Sequence, residues 1–132
     1  MSYISFFKNQ FIPTDEISLN FSDNFLTIVR GYQVFTFFKT AYGGKPLFLD
    51  HHIERLLKNT EAMCMKVEQS HDDIKQLVFD TIAENNPSTD ELSVMIVFLG
   101  GKPVTGSDLY SNDPMDILVL VTPMRIYPAE SY

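Results

Sequence analysis

The stretch Tyr32-Gln33-Val34-Phe35-Thr36-Phe37-Phe38-Lys39-Thr40-Ala41-Tyr42-Gly43-Gly44-Lys45-Pro46-Leu47-Phe48-Leu49-Asp50-His51-His52-Ile53-Glu54-Arg55-Leu56-Leu57 decides the fold. Its first part is crowded with β-branched and aromatic side chains, which suit a pleated, half-buried surface. That composition predicts a strand over 32–42, buried in part on both faces. Gly43-Gly44 predicts a tight turn, and 46–49 a shorter second strand, so the pair reads as a hairpin. After Leu49 the period changes. Ile53, Leu56, Leu57, Met63, Cys64 and Val67 recur as one stripe of a helix. Asp50 suits the N-cap, because a carboxylate accepts the unpaired amides of a first turn. Glu54 and Lys58 form an i,i+4 pair on the wet side.

Toward the N-terminus, 3–12 reads as two short strands around Lys8-Asn9-Gln10. The segment 18–25 is ambiguous and compatible with a short helical turn capped by Ser22 or Asp23. Toward the C-terminus, a second helix is predicted over 71–85. Ser70 with Asp73 resembles a capping box, with Asp in place of the usual Glu. Its stripe is Ile74, Leu77, Val78, Thr81 and Ile82, and Pro87 stops it. The runs 92–99 and 116–122 are continuously apolar, as central strands covered on both faces are. The expected fold class is α+β: a mainly antiparallel sheet with two helices packed on one face. One domain is expected over 1–126, with 127–132 as the start of an interdomain linker.

Composition narrows the function. The chain has 132 residues, 45% of them hydrophobic and 20% charged, enough for one domain with a core. Its net charge of −7 argues against binding nucleic acid through a phosphate-neutralising surface. No apolar run reaches the roughly 18 residues of a membrane span, and the first residues do not read as a signal peptide. The single cysteine, Cys64, excludes an internal disulfide and a cysteine-based zinc site. A cytoplasmic protein without nucleic-acid or membrane partners is expected.

Among candidate functional residues, Arg55 stands out. It shares a helix face with His51, four residues earlier, near the positive end of the helix. A cation there opposes the helix dipole, and a bound anion would relieve that cost while using the guanidinium fork. The plainer reading is a solvated side chain lying over apolar surface. The neighbouring histidines point about 100° apart on a helix, so an exposed, metal-free pair is expected rather than a metal centre. Gly100-Gly101-Lys102-Pro103-Val104-Thr105-Gly106 lacks the spacing of a phosphate-binding loop and reads as a surface loop. Its length, up to Asp113, exceeds most hairpin connections. Cys64 is expected to be buried and unreactive, Met63 and Met65 to fill core, and Lys39 to point outward. No nucleophile elbow and no catalytic residue is identifiable.

The order Arg30-Gly31-Tyr32-Gln33-Val34-Phe35-Thr36, then Tyr42-Gly43-Gly44-Lys45-Pro46-Leu47-Phe48-Leu49, then His52-Ile53-Glu54-Arg55-Leu56 resembles a known pattern. It is that of the N-terminal small domain of class IV, fold-type IV pyridoxal-phosphate enzymes. These include branched-chain and D-amino-acid aminotransferases and aminodeoxychorismate lyase. The pattern is a glycine, V-F-E or V-Y-E, a strand, N-G-K-P, a strand, and H-x-x-R-L. The resemblance implies pyridoxal 5′-phosphate as cofactor and Arg55 as a contact to its phosphate. It places Phe35 in the substrate pocket. It also implies an amino-acid or amino-chorismate-type substrate and a homodimer.

Three departures accompany the resemblance. Thr36 stands where the pattern has an acid. Val94 and Leu99 stand where related transaminases carry an arginine for the substrate carboxylate, leaving Arg30 or Lys102 to compensate. The lysine that carries the cofactor belongs to a large C-terminal domain outside this sequence, so the chain alone is expected to be inactive. The alternative is a non-catalytic α+β binding or interaction module.

Overall fold

The computed structural model describes residues 3–41, 44–86, 91–103 and 113–123. Six strands form one sheet: β1 (Ile4–Phe7), β2 (Gln10–Pro13), β3 (Gln33–Ala41), β4 (Lys45–Pro46), β5 (Leu92–Leu99) and β6 (Asp116–Pro123). Their spatial order is β2-β1-β6-β5-β3-β4, with every pairing antiparallel. Three helices accompany them: α1 (Phe25–Arg30), α2 (Leu49–Ala62) and α3 (His71–Ala83). The α+β class and the mainly antiparallel sheet are as the sequence predicts.

The main core lies between the sheet and the helices. Ile53 and Leu56 of α2 and Ile74, Val78 and Ile82 of α3 meet Phe38, Val94, Ile96, Phe98, Val119 and Val121 of the sheet. Burying each such side chain contributes about 1.5–3 kcal/mol. The other face of β5 and β6 carries a smaller cluster of Phe7, Val97, Leu99 and Leu118. Both strands are therefore covered on both faces, as their unbroken apolar runs require. Two buried hydroxyls tie edges to the centre. Leu92 N–H donates to Thr40 Oγ1 at 2.9 Å, and Val121 N–H donates to Ser5 Oγ at 2.8 Å.

Several local expectations change. Strand β3 is not buried on both faces. Its side chains alternate strictly, with Val34, Thr36, Phe38 and Thr40 inside and Phe35, Phe37 and Lys39 outside. The second strand of the hairpin is only Lys45–Pro46, because Phe48 takes φ 56° and turns the chain into α2. Phe48, not Asp50, occupies the N-cap position. Asp50 instead sits in the first turn and pairs across to α3, with Lys75 Nζ at 3.0 Å and His71 Nε2 at 3.5 Å. Helix α2 ends at Ala62, short of Val67. Met63 and Cys64 form the turn after it, Cys64 at φ 57°, so this cysteine is exposed rather than on the buried stripe. Met65 fills core, whereas Met63 is exposed. Glu54 and Lys58 are both exposed but make no ion pair with each other.

The third helix, α1, starts where the ambiguous segment 18–25 ends and runs on to Arg30. Asn24 holds its N-cap position, rather than Ser22 or Asp23, and Gly31 ends it at φ 66°. The capping box on α3 forms as predicted: Asp73 N–H donates to Ser70 Oγ at 3.1 Å, and Ser70 N–H to the Asp73 carboxylate at 2.9 Å. Pro87, Gly43, most of the loop leading to Asp113, and the linker over 127–132 lie outside the described residues.

Candidate functional site

The site is built where α2 crosses β3. Strand β3 pairs with β5 along 33–39, but with β4 only at Thr40 and Ala41. On that edge Leu47 N–H also donates to the Lys39 carbonyl at 3.2 Å, and among the described residues the edge is otherwise free. Alternation sends Thr36 to the helix side, where it is 2% exposed, and Phe35 to the opposite face, where it is 54% exposed. Helix α2 lies over the helix side with Ile53 and Leu56 buried, which leaves His52 and Arg55 at the rim.

Three polar groups meet there. Arg55 Nη2 donates to Thr36 Oγ1 at 3.0 Å. Thr36 Oγ1 lies 2.9 Å from His52 Nδ1, and Arg55 Nη2 lies 3.5 Å from the same nitrogen. The His52 ring packs on Phe38, with centroids 5.3 Å apart. Partial burial, then the Arg55 charge, then His51 push the His52 imidazole below its usual range, favouring the neutral ring.

Arg55 is exposed, and among the described residues it has no carboxylate partner. Its charge is oriented by a neutral hydroxyl and, among the described residues, is not neutralised. It lies in the second turn of α2, so the end-of-helix dipole adds little. The contribution to an anion comes from the guanidinium itself.

The sequence-predicted residues separate into two groups. Arg55 and Phe35 flank the same short length of β3, from opposite faces. Arg30 lies apart, exposed in the last turn of α1, and makes no ion pair among the described residues. Lys102 is held by Asp23 at 3.0 Å. Val94 and Leu99 are buried in the two cores, at 0% and 2% exposure, so neither place carries an anion-binding group. Two clefts lined by described residues, of about 130 and 330 Å³, are bordered by Lys8, Glu68 and Asp116, and by Phe21, Phe25 and Lys102; Arg55 lines neither. No group of three or more His, Cys, Asp or Glu side chains among the described residues is placed to hold a metal.

Two members of the cluster escape the sequence reading. His51 is the neighbour of Arg55 that the sequence suggests, but the contact comes from His52, three residues before it. Thr36 reads from sequence only as a missing acid. The signal available was the i,i+3 spacing of His52 and Arg55 together with the inward parity of Thr36.

The family model for class IV aminotransferases matches residues 33–132, which contain the whole cluster. The chain belongs to the class IV aminotransferase family. Solved structures agree on the fold. A branched-chain aminotransferase from the thermophilic archaeon Thermoproteus uzoniensis, solved with norvaline, superposes with a TM-score of 0.80 at 17% identity, covering 95% of this chain and 42% of that one. The branched-chain aminotransferase of Escherichia coli gives 0.79 at 16% identity, covering 94% and 42%. A mutant branched-chain aminotransferase from Thermobaculum terrenum gives 0.73 at 16%, covering 95% and 41%. The fold is that of the small N-terminal domain of class IV aminotransferases, and the chain spans less than half the length of these proteins. A comparison with curated proteins returned no match. Among the described residues no helix is long and apolar enough to cross a membrane.

Proposed function

We propose that this class IV aminotransferase domain forms one half of a pyridoxal 5′-phosphate site, with Arg55 holding the cofactor phosphate. The observation that carries the reading is the Arg55 guanidinium, exposed, aimed by Thr36 and without an acidic partner among the described residues. That donor set fits a phosphate, which takes parallel hydrogen bonds from a planar fork. When bound, pyridoxal phosphate supplies an electron sink that lets an amino group pass between an amino acid and a keto acid. The residues of this chain bind and orient.

Phe35, on the opposite face of the same strand, forms one wall of the substrate pocket. Of the two cations the sequence offers for a substrate carboxylate, Arg30 is exposed and makes no ion pair among the described residues, whereas Lys102 is paired with Asp23. The substrate is an amino acid or an amino-chorismate-type compound, processed by transamination or by lyase chemistry. Arg55 is exposed at the rim of β3 among the described residues, and the site is completed by a second domain that supplies the cofactor lysine. The whole protein acts in the cytoplasm as a homodimer.

The test is a titration of the chain with pyridoxine 5′-phosphate, which keeps the phosphate but has no aldehyde to react with surface lysines. Amide shift changes clustered on Thr36, His52 and Arg55 are expected, with weak, millimolar-range affinity for half a site. Changes confined to other basic residues, or no changes at all, would remove the phosphate role.

A further inference from the structure

We propose that His52 is a positioning residue, which acts through the hydroxyl of Thr36 to fix the Arg55 guanidinium at the free edge of β3. The inference rests on the phosphate role of Arg55 for its purpose, but on hydrogen-bond chemistry for its structure.

A guanidinium only donates. Thr36 Oγ1, 3.0 Å from Arg55 Nη2, is therefore the acceptor in that contact. Its own proton then needs an acceptor. Thr36 is 2% exposed, so water does not serve it well. His52 Nδ1, at 2.9 Å, is placed to take it. That contact requires Nδ1 to be unprotonated and puts the ring proton on Nε2. The order is Arg55 to Thr36 to His52, each group donating to the next.

The chain of donors has a fixed sense, which selects one arrangement of Arg55. With a proton on Nδ1, both neighbours would donate to Thr36 Oγ1, the hydroxyl proton would lose its acceptor, and an N–H would point toward Arg55 Nη2 at 3.5 Å. The directed order that holds Arg55 in one arrangement would be broken. The groups facing His52 are Arg55 and His51 on α2, with ring centroids of the two histidines 6.5 Å apart, and Thr36 and Phe38 on β3, neither of which is charged. No acid among them competes for the role. Phe38 holds the plane of the ring, so Nδ1 stays directed at Thr36. The Nη2 contacts are the hydrogen bonds Arg55 makes among the described residues, which leaves Nη1 and Nε to an incoming anion.

The test uses the 132-residue chain and five variants, Arg55→Gln among them. His52→Phe keeps the ring packing on Phe38 and removes the acceptor. Thr36→Val removes the hydroxyl at nearly constant shape. Thr36→Ser and His52→Asn retain a hydroxyl and an acceptor. Two-bond nitrogen–proton spectra at about pH 8, above the usual imidazole range, should place the His52 proton on Nε2. Nitrogen relaxation at Arg55 Nε should report a rigid side chain in the wild type, Thr36→Ser and His52→Asn, and a mobile one in His52→Phe and Thr36→Val. Inorganic phosphate should bind the last two about fivefold more weakly, the loss expected for one supporting hydrogen bond. A proton on Nδ1, or wild-type order at Arg55 in folded His52→Phe, overturns the proposal. If Arg55→Gln leaves phosphate binding unchanged, the cofactor reading fails instead, while the tautomer and the Arg55 relaxation still judge the relay.

Discussion

Arg55 Nη2 and Thr36 Oγ1 lie 3.0 Å apart, joining the second turn of α2 to the inward face of β3 across 19 residues of sequence. The contact binds an exposed cation to a buried neutral hydroxyl. It orients the charge but supplies little folding energy. Arg55→Ala should change stability by no more than about 0.5 kcal/mol, as exposed helix substitutions do. Urea denaturation measures this, and a loss of several kcal/mol would make Arg55 a structural residue.

His52 makes stability depend on pH in a defined direction. Its folded value is lowered from 6.5 by burial first, then by Arg55 and His51. The neutral ring therefore supports the fold above 6.5, and this contribution is lost as pH falls from 6.5 through the lower folded value, because the unfolded chain takes the proton first. The wild type should lose more stability than His52→Phe between about pH 7.5 and pH 5. Parallel stability curves for the two proteins would contradict this.

Gly100 closes β5 against the start of β3. A Cβ there would lie 2.2 Å from the Tyr32 carbonyl oxygen and 2.6 Å from its ring, while Gly100 N–H donates to Thr27 Oγ1 at 2.6 Å. Backbone cannot yield as a flexible side-chain tip can. Gly100→Ala should cost about 1–3 kcal/mol through overpacking. Chemical denaturation within about 0.5 kcal/mol of the wild type, on the scale of a surface change, would show that the junction can open.

The capping box on α3 gives a smaller, separate effect. Ser70→Ala removes the acceptor for Asp73 N–H and should cost about 1 kcal/mol. Thermal unfolding reads it, and an unchanged midpoint would mean that water replaces the cap.

The fold was largely legible because its two periods are clean. The helical stripes of Ile53 and Leu56 and of Ile74, Val78 and Ile82 report a one-sided burial that the structure repeats. The apolar runs of β5 and β6 report burial on two faces. Strand β3 was harder, because Phe35 and Phe37 look like core and yet face outward. Aromatic content cannot distinguish a core face from a face left for a ligand or another domain. The helix boundary failed at Phe48 and Cys64, where non-glycine residues adopt positive φ that no composition signals. Within the site, Arg55 was legible from its helix and its family pattern. Its pairing with His52 and Thr36 is not legible there, because a contact between strand and helix depends on which residue of each points inward.

The most direct measurement compares phosphate binding by the wild-type chain and Arg55→Gln, with pyridoxine 5′-phosphate as the probe and phosphorus resonance as the readout. The wild type should show a saturable shift, and Arg55→Gln, folded to the same stability, should lose at least about tenfold in affinity, as removal of a charge-assisted hydrogen bond does. Equal binding by the two folded proteins would contradict the assignment of Arg55 to the cofactor phosphate.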